Sequence, residues 1–312
     1  MREINFADAQ QALGFLTPMQ YRIENTVYQT KYPAFDYAAI LPVNTEGDMW
    51  EMGSVFYSGD IAGKAEFISG RGNDVPMADV SQTQFLRENH LAAIGYEWSL
   101  QELKRAERMG TNLPASKALA ASKIAQAFQY NIAISGHAEK GWSGLINTAG
   151  IPTANVAAGA SGVSWPLKTA DETLADINTA LYDVTNNTNQ TEIANRLLLP
   201  TTAIQGMAGK RMGSTSDTLL KFVRENNAYT LETGQPLVIR GLRDLETAGS
   251  GGTRRMVAFS ASPEAVQFYL PGDHEFLAPY QVNSMSWEVV GLMNLGGTEV
   301  RLPKTISYRD GF

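Results

Sequence analysis

The chain has 312 residues, of which 44% are hydrophobic and 18% charged: an ordinary globular balance, in more length than a single domain usually needs. With 25 Lys+Arg against 32 Asp+Glu the net charge is −7, which excludes the broad basic face of a protein that grips nucleic acid by counterion release. The absence of cysteine excludes disulfides, thiolate nucleophiles and cysteine-ligated metals. The opening "MREINFADAQQALGFL" lacks the apolar core of a signal peptide, and no apolar run approaches the ~18 residues of a membrane helix. A soluble chain made in a cytoplasm, with no membrane partner, is expected.

Residues 1–48 show no clear period and are punctuated by Pro18, Pro33 and Pro42, which reads as an arm needing a surface to lie on. In "WEMGSVFYSGDIAGKAEFISGRGNDVPMADV", Val55 and Tyr57 alternate with Ser54, Phe56 and Ser58. Ala65 to Ser69 reads as a second short strand, and Gly59, Gly63, Gly70 and Gly72 supply turns. The pattern predicts a long hairpin with little core of its own, marginal without a partner surface. Ser99, followed three residues later by Glu102, and Gly110 mark the two ends of a capped helix.

Pro114 opens a longer helix that ends at Gly136, with Ala118, Ala121, Ala125, Phe128 and Ile132 at helical spacing. Alanine on several of its faces predicts close packing all round, as in a central spine. Residues 148–164, rich in Ala, Gly, Thr and Ser, read as a loop. Leu174, Ile177, Leu181 and Val184 define an amphipathic helix. "RLLLP", "QPLVIRGL" and "MVAF" read as strands, "SDTLLKFVREN" as a helix, and "SPEAVQFYL" as a short helix or irregular edge. From Gln281 to Tyr308 the pattern is extended. The class is α+β, with no repeating βαβ unit.

Candidate chemistry is thin. "GHAEKGWSGLIN", from Gly136 to Asn147, resembles a nucleophile elbow around Ser143, but its closing glycine comes one residue early and it follows a helix instead of a strand. A turn with Gly141 and Gly144 at positive φ is the simpler reading. His90, His137 and His274 form no i, i+4 metal pair. "GDHEF" reads as a polar turn before a strand. "GMAGKRMGST" departs from the phosphate loop, with Arg211 after Lys210 and Ile204 where the first glycine belongs, and reads as a loop before a helix. No catalytic set, cofactor site or metal site converges, so no enzyme is expected.

The order of elements is more telling: an arm, a glycine-rich hairpin, an alanine-rich spine helix ending in "ISGHAEKGWSGLIN", then "LADINTALYDVTNN…EIANRLLLP" and a terminal ribbon with "APYQVNSMSWEVVGL". In that order, from about residue 49 to 312, the chain resembles the major capsid proteins of tailed bacteriophages, the Hong Kong 97-type fold. The resemblance implies an N-terminal arm (1–48) and an extended hairpin loop (49–84). It further implies a peripheral domain with the spine helix (85–140 and 270–297) and an axial domain (141–269 and 298–312). It implies hexamers and pentamers forming an icosahedral head around double-stranded DNA, without sequence-specific binding, in virions assembled in the bacterial host cytoplasm. Scaffold, portal and decoration proteins are the implied partners. With no long charged helical prefix, the scaffold is expected to be separate or already trimmed away. Inter-subunit contacts are expected at Gly59, Asp60, Gly63, Lys64 and Phe67. A net negative chain suits a shell from which DNA must slide free.

Two alternatives stand beside this reading: an encapsulin-type nanocompartment shell, which shares the fold, and an α+β hydrolase using Ser143. Some members of the resembled family join subunits by an isopeptide bond between a hairpin lysine and a neighbour's asparagine, with a glutamate taking the proton. Lys64 lies where such a lysine would be. The asparagine position falls on Ser284, beside Asn283, and the glutamate position on Gly291; Glu288 is the only acid nearby. A shell without covalent links is therefore expected, because a lysine without a base stays protonated near neutral pH.

Overall fold

The structure is a computed structural model that describes residues 35–67, 75, 77–110, 112–212 and 217–312. The arm as far as residue 34 lies outside the described residues. Its remainder is built into the core: Ile40 and Leu41 are buried, and β1 (Val43–Asn44) pairs in parallel with β11 (Val266–Tyr269). Tyr37 donates to Gln129 Oε1 at 3.1 Å, and Gln129 donates on to Asp273 at 3.0 Å. Burial, with the Asp273 charge nearby, pushes the Tyr37 hydroxyl up to about 12, so it remains a donor. The segment expected to seek an outside surface thus has, from Phe35 on, a surface of its own.

A two-stranded ribbon follows, β2 (Gly53–Ala62) against β3 (Asp79–Glu88), in unbroken antiparallel register from Gly53↔Glu88 to Ala62↔Asp79. The second strand is not Ala65 to Ser69. Residues 63–67 carry no strand and 68–69 lie outside the described residues, so the pairing partner comes later and runs beyond residue 84. β4 (His90–Ser99) continues directly into a sheet. It pairs residue for residue with β14 (Ser286–Leu295), whose other edge carries β12 (Gly272–Phe276) and β13 (Tyr280–Asn283). "GDHEF" is therefore itself a strand.

Ser99 caps α1 (Leu100–Arg108) in a reciprocal box with Glu102, and Gly110 turns the chain away at φ +69. The spine, α2 (Leu113–Ser135), begins at Asn112, whose side chain accepts from the Ala115 amide at 3.2 Å. Its C-terminal half is buried through Ala125, Ile132, Ala133 and Ile134. Its N-terminal half leaves Leu119 and Ile124 about half exposed, so packing does not close around it within one subunit.

The remaining residues form a five-stranded sheet in the order β7-β16-β10-β8-β9: β7 (Thr153–Asn155), β8 (Arg196–Pro200), β9 (Val238–Leu242), β10 (Arg255–Phe259) and β16 (Ile306–Asp310). Strand alternation explains why "RLLLP" and "MVAF" are apolar without a break. Leu198, Val257 and Phe259 face the core shared with the spine. Leu197, Leu199, Met256 and Ala258 face a second core under α3 (Ala170–Asn187), formed with its Ile177, Leu181 and Val184. The expected loop at 148–164 contributes β7 to this sheet. "GMAGKR" is not a loop: α4 (Thr201–Gly209) runs through it and Lys210 ends it. α5 (Leu219–Asn226) stands as expected, followed by an unanticipated α6 (Ala228–Thr233). "AVQFYL" is β11, buried at every position and paired with β15 (Gly297–Val300).

Candidate assembly surface

The stretch around Ser143 is a turn. Gly136–His137 pairs with Trp142–Ser143, closing back on the end of the spine. Gly136 and Gly141 hold the positive φ values, +74 and +67. Gly144 is needed for a different reason: a Cβ there would lie 2.2 Å from the Ile134 carbonyl oxygen. Ser143 Oγ accepts from Thr148 at 3.4 Å, and the His137 ring packs edge-on against Phe128. Among the described residues no group of His, Asp or Glu is arranged to hold a metal, and no helix is long and apolar enough to cross a membrane.

Several of the exposed large apolar side chains among the described residues lie on the ribbon. Directly opposed residues share a face, so its register sorts the side chains. The even positions of β2 with their partners carry Ser54, Phe56, Phe85 and Arg87. Here Phe56 stacks on Phe85 with ring centres 5.1 Å apart, and Arg87 donates to the Thr298 carbonyl at 2.6 Å. The odd positions carry Val55 opposite Leu86, Tyr57 opposite Gln84, and Val80. On this face Tyr57 is 66% and Leu86 72% exposed, with Val55 and Val80 about half exposed. One face thus touches the body at Arg87 and Phe56, and the other is apolar and exposed. A two-stranded ribbon is marginal in water by itself, and an apolar face of this kind marks a contact surface.

The five expected contact residues cluster at the far end. Gly59 and Asp60 sit within the ladder, opposite Gln82 and Ser81. Gly63 leaves it with Ala78 Cα 3.0 Å from where a Cβ would be; Lys64 pairs with Glu66 at 3.0 Å in the open, and Phe67 is fully exposed. Sequence reasoning missed Val55, Tyr57, Val80 and Leu86. They lie on two strands far apart in the chain, and neither strand's own sequence shows the register that brings them together.

The residues weighed for covalent linkage do not form a set within one subunit. The Asn283 side chain accepts from the Met285 amide at 2.9 Å, and Glu288 accepts from the Tyr280 hydroxyl at 2.8 Å. At Gly291 a Cβ would lie 2.4 Å from His274 Nε2, so a glutamate has no room there without displacing that ring. Boiling assembled particles in detergent is expected to release a single 34.0 kDa species. A ladder that survives boiling and vanishes in Lys64→Ala would contradict this.

A spine helix beside a long sheet, a two-stranded ribbon and a separate two-faced sheet make up the Hong Kong 97-type fold. Solved structures share this fold. The capsid of Myoviridae phage XM1 is 18% identical, with 95% of this chain and 98% of that chain covered and a TM-score of 0.78. Gordonia phage Cozz is 15% identical, covering 96% and 93%, at 0.59. The virus-like particle from Pyrococcus furiosus is 15% identical, covering 87% and 91%, at 0.52. No curated protein sequence matches the chain. Residues 63–312 match the family described as major capsid protein, and the chain belongs to that family of structural proteins of bacteriophage capsids.

Proposed function

We propose that copies of this chain assemble as hexamers and pentamers into a closed icosahedral head enclosing double-stranded DNA, in virions built in the bacterial host cytoplasm. The division into arm, hairpin, peripheral domain and axial domain belongs to the same proposal, as do scaffold, portal and decoration partners. The observation that carries it is the ribbon's exposed apolar face in a chain of the capsid family. Such a face is too large to leave wet and too thin to bury itself, and a neighbouring copy supplies what it lacks. Leu119 and Ile124, bare on the spine, support the same need for neighbours.

Electron micrographs of purified material test it. Closed shells or capsomers, with nucleic acid inside filled particles, are expected. Small discrete species under all conditions, with or without a scaffold, would contradict the proposal. Shells filled only with protein would favour a nanocompartment.

A further inference from the structure

The ribbon leaves the body at Met52–Gly53 on one strand and at Asn89 on the other, and a small cluster of side chains lies at that joint. Arg87, on β3, donates to the Thr298 carbonyl of β15 at 2.6 Å. Glu299, the next residue and 4% exposed, accepts from Gln267 at 2.8 Å and from Arg301 at 3.2 Å. The Arg301 guanidinium in turn lies 5.3 Å from the centre of the Phe56 ring on β2. One arginine therefore reaches from the ribbon to the body, and the other from the body to the ribbon. Burial lowers the pKa of the Arg87 guanidinium, the Glu299 charge opposes that shift and the Arg301 charge adds to it. Glu299 is paired directly with Arg301, and it follows Thr298, whose carbonyl holds Arg87.

Little else holds the ribbon. Among the described residues its strands pair only with each other, and neither packs extensively on another element. At the joint the Asn89 amide nitrogen donates to the Met52 carbonyl at 2.9 Å. The Asn89 side chain is buried near the Tyr269 hydroxyl without a well-formed hydrogen bond, and Glu299 Oε1 is likewise buried and unpartnered.

We infer that Arg87, Glu299 and Arg301 form a latch that sets the pose of the hairpin, aiming its apolar odd-numbered face outward. Breaking the latch frees the ribbon to swing about the Met52–Asn89 joint while the body stays folded. The inference rests on the proposal that this face meets a second copy of the chain. What it adds is the identity of the positioning residues.

Because the sequence contains no cysteine, two introduced cysteines are the only sites a thiol-directed spin label finds. Gln82→Cys on β3 and Glu264→Cys in the turn before β11 place one label on the ribbon and one on the body. In the unassembled full-length subunit, pulsed dipolar measurements are expected to give one narrow distance distribution. Arg87→Ala and Glu299→Gln should each shift and broaden it with little change in melting temperature. Arg87→Lys, which keeps the charge beside Glu299, should restore most of the sharpness. A purely structural role would lower the melting temperature and leave the distance narrow. Should Glu299→Gln unfold the body, Arg87→Ala decides alone, since its side chain enters from the ribbon.

A narrow, unshifted distribution in Arg87→Ala, or a broad one already in the parent, would overturn the latch. Broadened distances with undiminished shell yield would uphold the latch and remove the ribbon from the proposed interface, so the two readings fail separately.

Discussion

Arg255→Ala is expected to destabilise the unassembled subunit by about 3–5 kcal/mol, the usual cost of removing one partner from a buried ion pair. Arg255 grips Asp310 with two parallel bonds, at 2.8 and 2.7 Å, and donates a third to the Ile146 carbonyl at 2.7 Å. Its guanidinium lies 4.4 Å from the Tyr308 ring centre, and the Tyr308 hydroxyl donates to the Leu145 carbonyl. Strands β10 and β16 are thereby tied to the turn that follows the spine. The bonds to Asp310 hold the Arg255 pKa above its usual value, so the guanidinium stays charged.

Asp310 is 1% exposed, and without Arg255 its carboxylate keeps only the Ser250 amide at 3.0 Å. A loss of this size is a large share of the roughly 5–15 kcal/mol that holds a typical protein folded. Urea unfolding of the soluble subunit measures it. Arg255→Met combined with Asp310→Leu should recover part of the loss, because the uncompensated charge is gone. Lys221→Ala, which breaks an exposed i, i+4 pair with Asp217, should leave the unfolding midpoint unchanged. If Arg255→Ala moved the midpoint no further than Lys221→Ala, the network would not be the structural tie described.

The parts legible in the sequence were those where local chemistry decides. Ser99 with Glu102, Pro114 with Gly136, and the spacing of Ile177, Leu181 and Val184 each fix a helix from within a few residues, and tertiary packing agrees with them. "AVQFYL" was misread because β11 is buried on both faces and so shows no alternation, leaving a short apolar run that fits helix or strand equally. Gly144 was assigned a positive φ because sequence shows a glycine's freedom but not the backbone pressed against it.

The assembly surface was half visible for a related reason. Its glycines and Lys64 announce a hairpin end. The apolar face, though, is shared by two strands far apart in the chain, and a slip of one residue would turn Leu86 away from Val55. Only the register shows that Val55, Tyr57, Val80 and Leu86 lie together.

That face is where substitutions should separate assembly from folding. Tyr57→Lys and Leu86→Lys are each expected to leave the melting temperature of the subunit nearly unchanged, because both side chains are already mostly in water. Burying a side chain of this size against a neighbour contributes about 1.5–3 kcal/mol. Losing it should weaken each subunit contact by roughly ten- to a hundredfold, and a shell repeats the contact at every subunit. A second change acts on the tip alone. Ala62 and Asp79 are register partners, so an Asn-Gly turn in place of residues 63–78 can close the ladder without disturbing it. The shortened chain should fold, keep the outward face, and lose whatever Lys64 and Phe67 contribute to a neighbour. Sedimentation and micrographs of both sets read the outcome. Normal shells from the lysine variants would show that the odd-numbered face stays in water, and normal shells from the shortened chain would show that the tip does. A collapse of the unassembled subunit in either would make the ribbon part of the subunit's own core.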